Sequence, residues 1–242
     1  MMDWFADPLE TNFVDRQALA AEPYENRGIL HSEMALIIEA CRREKIEVVI
    51  ESGRARAQST YMLAKYLPDV EIHSIEGRNG PDQAFGIERV ANFANVTLYQ
   101  GDGAHLLPGL CRVNLAKPTA VLCDGPKGIA AVGVVEKCFR HPHVKLGFIH
   151  DMRKLDHGKP SPYRAAAQAV FPGAIFSDSP ELVAGYAWMD VNIRASGGPC
   201  GPAWKQEHGS YGPTIGIFTN HHHDPALTSQ TSINRGPDDD AQ

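Results

Sequence analysis

Five short runs, each rich in β-branched or other apolar residues, lead into an acid. EVVIESG carries Glu51, EIHSIEG carries Glu76, NVTLYQGD ends on Asp102, TAVLCDG carries Asp124 and VKLGFIHD ends on Asp151. A carboxylate is costly to bury unless something pairs with it, so packing alone gives no reason for an acid at each of these places. Beside the last two stand Lys127 and His150. Carboxylates, an ammonium and an imidazole are groups that hold ligands, coordinate cations and move protons. They act together only if the chain returns each run to the same edge.

The intervening segments do that. Met34, Ile37, Ile38 and Cys41 fall at i, i+3, i+4 and i+7, which predicts a helix from Ser32 with Ser32 as its N-cap. Helices are predicted over Gln58–Leu67, Gln83–Phe93, Ala104–Leu110, Ile129–Arg140 and Tyr163–Phe171, each between two of the apolar runs. Strands alternating with helices, and apolar on both faces, require a parallel sheet covered on both sides. AIFSDS and TIGIFTN add two strands, the last antiparallel because no crossover helix cleanly separates the two. Residues 181–194 fit helix or strand, and the glycine- and proline-rich stretch Ser196–Pro213 reads as a loop. The expected fold is one doubly wound α/β domain of roughly seven strands over residues 31–220. An N-terminal extension (1–30, with Trp4, Phe5 and Phe13 scattered) precedes it, and a polar tail (221–242) follows. An open α/β sheet binds its ligands beyond the carboxyl ends of its strands, where the acids lie.

Composition narrows the class. With 242 residues, 43% hydrophobic, the chain has ample material for one core, which excludes a mainly disordered or fibrous protein. A net charge of −6 without a long basic run argues against nucleic-acid or anionic-membrane partners. Five cysteines, an odd number without C-x-x-C spacing, speak against a disulfide scaffold or zinc ribbon and for a reducing compartment. The start is acidic rather than basic-then-apolar, and no uncharged apolar stretch approaches a membrane span, so a cytoplasmic protein is expected.

The set of strand ends resembles the class I S-adenosylmethionine-dependent methyltransferases, from about Ser32 to Asn220. Glu51-x-Gly53-x-x-x-Ala57-x-Ser59 is similar to the family's first motif, with Ala57 where a glycine is common. The resemblance implies that Glu51, Gly53, Ser59, Glu76, Gly101, Asp102 and Asp124 hold S-adenosylmethionine. Glu76 would accept both ribose hydroxyls, since one carboxylate can accept two adjacent donors, and Asp102 would contact the adenine amino group. Asp124-x-x-Lys127 with His150-Asp151 is similar to the metal-dependent O-methyltransferases of the catechol, macrocin and cephalosporin-tailoring type. That implies a divalent cation on Asp124, His150 and Asp151, with Lys127, its pKa depressed by the cation, as general base and Asp124 beside it. The relatives carry an acid or an uncharged residue where this chain has His150. Imidazole suits manganese, iron or zinc better than magnesium, so the metal is left open among magnesium, manganese and iron.

The implied activity is methyl transfer to an oxygen of a small-molecule acceptor, by a protein compatible with homo-oligomers. Two other readings stay open: an NAD(P)-dependent oxidoreductase using the same crevice, although Gly-x-Gly-x-x-Gly is absent, and a relative that keeps the fold with another activity or none. No Gly-x-Ser-x-Gly elbow or P-loop is present. His221-His222-His223-Asp224 reads as a solvated cluster, and Arg54 and Arg56 as solvated groups or an anion clamp. Trp188, Trp204 and Tyr211 are candidates to stack on a substrate ring or to pack the core.

Overall fold

Residues 13–25, 28–113 and 117–220 are described by a computed structural model of the chain. A first helix, α1 (Phe13–Ala20), precedes the sheet. The stripe of Met34, Ile37, Ile38 and Cys41 forms α2 (His31–Arg43), and all four side chains are buried. Ser32 is not its cap, because the helix starts one residue earlier. Leu30 occupies the cap position and donates its N–H to Glu33 Oε2 at 3.2 Å, while the Ser32 N–H goes to Asp190 Oδ1 at 3.0 Å.

Strand and helix then alternate as the apolar runs require: β1 (Val48–Ser52), α3 (Gln58–Tyr66), β2 (Glu71–Glu76), α4 (Pro81–Val90), β3 (Val96–Gln100), α5 (Gly103–Val113), β4 (Thr119–Cys123), α6 (Ile129–Phe139) and β5 (Val144–Ile149). β1 and β4 are buried along their whole length, as centre strands of a sheet covered on both faces must be. Helices α1, α2 and α3 share one core with one face of the sheet, and α5 and α6 share the other core with its opposite face.

Beyond β5 the chain departs from the expectation in three places. A short hairpin, β6 (Leu155–Asp156) and β7 (Lys159–Pro160), comes before α7 (Pro162–Val170). The AIFSDS strand shrinks to β8 (Ile175–Phe176), and the ambiguous stretch is helical: α8 (Pro180–Tyr186), a 3-10 turn (Ala187–Asp190) and α9 (Val191–Ala195). The stretch read as a loop contains α10 (Pro202–His208), set off by Gly201 and Pro202 at its start and by left-handed Gly209 at its end. The final strand, β9 (Gly216–Thr219), runs antiparallel to both β5 and β8, between them. Trp4, Phe5, the histidine cluster and the tail lie outside the described residues.

The seven strands stand in the order β3-β2-β1-β4-β5-β9-β8, so the chain's direction of travel across the sheet reverses between β1 and β4. Register brings the acids level. Ser52 pairs with both Ile75 and Cys123, which sets Gly53, Glu76 and Asp124 side by side. Cys123 pairs with Ile149, which sets Asp124 against His150. At the switch the backbones nearly touch: Asp124 and Gly125 donate their N–H groups to Ser52 O at 2.8 and 3.0 Å. Gly103 closes the same corner, where an added Cβ would lie 2.7 Å from both Gly125 O and Ser52 Cβ. Gly103→Ala is therefore expected to overpack the switch and cost about 1–3 kcal/mol, read as a lower denaturant midpoint with an unchanged slope.

Candidate active site

The turn after β1 is held from inside by Glu51. Its carboxylate is wholly buried and accepts hydrogen bonds from the hydroxyls of Ser59, Thr60 and Ser74, the last at 2.8 Å. Burial pushes its pKa up, and the three hydroxyl bonds pull against that. Glu51 and Ser59 are thus engaged with each other behind the turn and shape the loop beyond it. Arg54 is also inside, 3% exposed, with its guanidinium donating to Ser74 O at 2.7 Å. It is neither solvated nor an open anion clamp. Arg56 is tied down as well, 2.9 Å from Glu25 and stacked over the Phe85 ring.

The loop these groups support is strained. Ala55 and Ala57 both adopt left-handed backbone, with φ of 44° and 58°. For an alanine that conformation costs about 1–2 kcal/mol, and such strain collects at ligand-binding turns. Ala57, at the usual glycine position, takes the glycine's conformation. Glu76 anchors the strained loop, since its two oxygens accept the N–H groups of Ala55 and Arg78 at 2.7 and 2.8 Å. Each oxygen keeps a second lone pair, which is the capacity a ribose diol needs. Glu76 also carries part of the fold, a role that its strand-end position in the sequence does not betray.

Gly101 follows β3 at φ 154° and lets the chain turn into Asp102. The Asp102 side chain is largely exposed and caps α5 by accepting the Ala104 N–H on Oδ1 at 2.9 Å, while its Oδ2 lies 3.8 Å from His105 Nε2.

At β4 and β5 four side chains converge. His150 Nδ1 lies 2.7 Å from Asp124 Oδ1, and Lys127 Nζ is paired with Asp124 and lies 2.6 Å from Asp151 Oδ2. Ligand atoms of Asp124, His150 and Asp151 all fall within 4.8 Å of one another. Asp151 is itself in left-handed backbone, φ 64°, which turns its carboxylate back toward the others. A fifth group reaches the cluster that the sequence reading missed: Glu33 Oε2, from α2, stands 3.4 Å from His150 Nε2. Its only sequence signal is an acid one turn before Ile37, on the buried stripe of an amphipathic helix.

These contacts set the charge states. Burial pulls the His150 pKa down, but Asp124, Glu33 and Asp151 together lift it to about 10. Burial likewise lowers Lys127, and the two aspartates more than reverse it, so its pKa is raised. Asp151 is driven down by His150 and Lys127 against the effect of burial. Without a cation, therefore, Lys127 is held as an ammonium.

Among the late aromatics, Tyr211 donates to Ala187 O at 3.1 Å and Trp188 to Gly185 O at 3.1 Å, contacts that tie the helical segment together. Trp204 packs on His208, ring centroids 4.0 Å apart. The hollow of about 520 Å³ between α1 and α3, lined by Asp15, Glu22, Arg42 and Lys65, opens at the opposite edge of the sheet. Its charges are already paired with one another, Arg42 with Asp15 and Lys65 with Glu22. No helix among the described residues is long and apolar enough to cross a membrane.

No protein-family model and no curated protein matches the chain. Solved structures do. Cofactor-bound Rv0187 from MTB matches with a TM-score of 0.51 at 13% identity, covering 86% of this chain and 87% of that one. The O-methyltransferase TomG from Streptomyces achromogenes, in complex with SAM, matches at 0.49 and 16%, over 79% and 81%. SAH-bound methyltransferase PaMTH1 from Podospora anserina matches at 0.49 and 13%, over 85% and 86%. The strand order, with its antiparallel next-to-edge strand, decides the architecture. It is the class I methyltransferase fold. At such identities the likeness speaks to the fold, and the activity has to be argued from the site.

The charge states have a measurable consequence. A histidine whose folded pKa exceeds its unfolded value near 6.5 stabilises the fold fully below that pH, and the contribution fades as pH rises. For His150 the fading runs from about 6.5 to about 10. Metal-free protein should show a melting temperature that declines across that window. His150→Gln should flatten the decline, and a profile unchanged by the substitution would contradict the assignment.

Proposed function

We propose that the protein transfers a methyl group from S-adenosylmethionine to an oxygen of a small-molecule acceptor, with help from a divalent cation. One observation carries the reading: Asp124, Lys127, His150 and Asp151 converge at the ends of β4 and β5, beside the β1–β4 switch and one strand from Glu76. Ligands of open α/β sheets bind at that switch. The residues fit both groups. Glu76 has the spare lone pairs for the ribose, Gly101 and Gly53 bring bare backbone to the crevice, and Asp102, after β3, would contact the adenine amino group. Two carboxylates and an imidazole form a donor set for a divalent ion.

Methyl transfer is an in-line displacement at carbon, so the chain's work is to align donor and acceptor, exclude water and take the acceptor's proton. Bound S-adenosylmethionine supplies an electrophilic methyl group. Glu76 and the Ala55–Ala57 loop would fix the donor from one side of the switch. Asp124, His150 and Asp151 would hold the cation, which lowers the pKa of a nearby hydroxyl and draws the aspartates' charge away from Lys127. Lys127, with its side chain half-exposed between those two acids, reaches the open side of the cluster and is the proton acceptor once their charge is withdrawn.

Calorimetry with S-adenosylhomocysteine tests the donor site. Glu76→Ala should lose about 2–4 kcal/mol of affinity, and the loss of its two backbone contacts should also cost roughly 1–3 kcal/mol of stability. Binding has therefore to be measured below the variant's melting temperature. Unchanged affinity would remove the cofactor reading, and a thermal-shift panel that responds to NADH or NADPH instead would replace it.

Lys127→Met separates chemistry from binding. Turnover should vanish while S-adenosylhomocysteine binds as in the parent. Excess chelator should abolish turnover of the parent protein, and a divalent metal should restore it. Full activity in chelator would remove the metal and leave methyl transfer standing.

A further inference from the structure

The imidazole of His150 is 4% exposed and has one nitrogen on each side of a partition. Nδ1 faces Asp124 Oδ1 at 2.7 Å and Asp151 Oδ1 at 3.9 Å, the open side of the cluster. Nε2 faces inward, toward α2, and finds no better partner among the described residues than Glu33 Oε2 at 3.4 Å. Glu33 is itself nearly inaccessible, 1% exposed, and is fixed from two other directions: it accepts the Leu30 N–H at 3.2 Å and the Ser177 hydroxyl at 3.2 Å. A buried carboxylate held this way cannot easily turn elsewhere, and once a cation takes Nδ1 in place of the Asp124 contact, the ring's one remaining hydrogen sits on Nε2, on the side of Glu33. Histidines that ligate metals almost always donate their other N–H to such a group, which sets the tautomer and raises the ligand's basicity.

We propose that Glu33 is a positioning residue for His150: it holds the hydrogen on Nε2, presents the Nδ1 lone pair to the Asp124–Asp151 side, and so makes the centre select a manganese-class transition ion over magnesium. The inference rests on the metal reading above. Magnesium strongly prefers oxygen ligands, while first-row transition ions gain from an imidazole whose lone pair is available and aimed. The carboxylate on α2 thus acts on the choice of ion through the ring and not by contact with it. The same carboxylate also holds the first turn of α2, so the folding and ligand-tuning roles of Glu33 have to be separated by measurement.

The test is a manganese titration of the full chain, following the spectroscopic signal of free Mn²⁺, repeated with magnesium as competitor. In the parent protein, Mn²⁺ should bind and resist displacement by Mg²⁺. Glu33→Gln should weaken Mn²⁺ about 10- to 100-fold and Mg²⁺ much less, so the selectivity ratio falls. Ser177→Ala removes one support of Glu33 but leaves the carboxylate beside Nε2, and should keep most of the ratio. Equal Mn²⁺ affinity and an equal ratio in the parent and Glu33→Gln would overturn the role of Glu33 alone. No binding of either ion to the parent would overturn the metal reading and this inference with it. Should Glu33→Gln fail to fold, ¹⁵N spectra of the parent loaded with Zn²⁺ decide: the metal-bound shift belongs on Nδ1 of His150 with hydrogen on Nε2, and the reverse assignment overturns the proposal.

Discussion

A carboxylate turned away from water must be met by hydrogen-bond donors or by positive charge, and the carboxyl edge of this sheet carries an acid after every parallel strand. Each is met differently. Glu51 is surrounded by hydroxyls with the Arg54 guanidinium close by, Glu76 by backbone N–H groups, Asp102 by a helix N-terminus, and Asp124 and Asp151 by Lys127 and His150. The manner of compensation separates scaffold from site. Where it is complete and enclosed, as at Glu51, the acid is part of the turn's architecture. Where it leaves lone pairs or an open side, as at Glu76 and Asp124, capacity remains for something the chain does not itself provide.

The same constraint explains the strained backbone. Glu76 can accept the Ala55 N–H only because the loop bends through left-handed residues at positions 55 and 57. Asp151 returns its carboxylate to the cluster only through its own positive φ. Each bend costs free energy that nearby hydrogen bonds and ion pairs offset. Strain at Ala55, Ala57 and Asp151 thus gathers where acids keep spare capacity, while the hollow between α1 and α3 carries ion pairs already closed on themselves.

Much of the fold was legible because parallel strands and their crossover helices write themselves as alternating apolar runs. The order of strand ends followed, and with it Asp124, Lys127, His150 and Asp151 as neighbours. What escaped was set by tertiary contacts or by overruled local signals. Ser32 reads as an N-cap, yet Asp190, 158 residues away, takes its N–H. Glycine count concealed α10, although Gly201-Pro202 and Gly209 mark its two ends. The β6–β7 hairpin turns on His157-Gly158, both at positive φ, a sequence that announces such a turn less clearly than Asn-Gly would. Glu33 was hidden in plain view, because an acid in a helix's first turn already has a dipole rationale and invites no second one.

Glu33 changes the charge balance of the β4–β5 cluster. Counting Asp124, Asp151 and Glu33 against Lys127 and a protonated His150, the group as it stands carries one net negative charge. A divalent ion on Nδ1 requires that nitrogen unprotonated, so binding exchanges one proton for two positive charges. The exchange would leave the cluster neutral with Lys127 an ammonium, and with one net negative charge once Lys127 is an amine. From that state Lys127 can cycle between ammonium and amine without leaving an unpaired buried charge, because its own side chain reaches solvent. On the proposed reading, the third carboxylate would make a proton-accepting lysine electrostatically tolerable next to a cation.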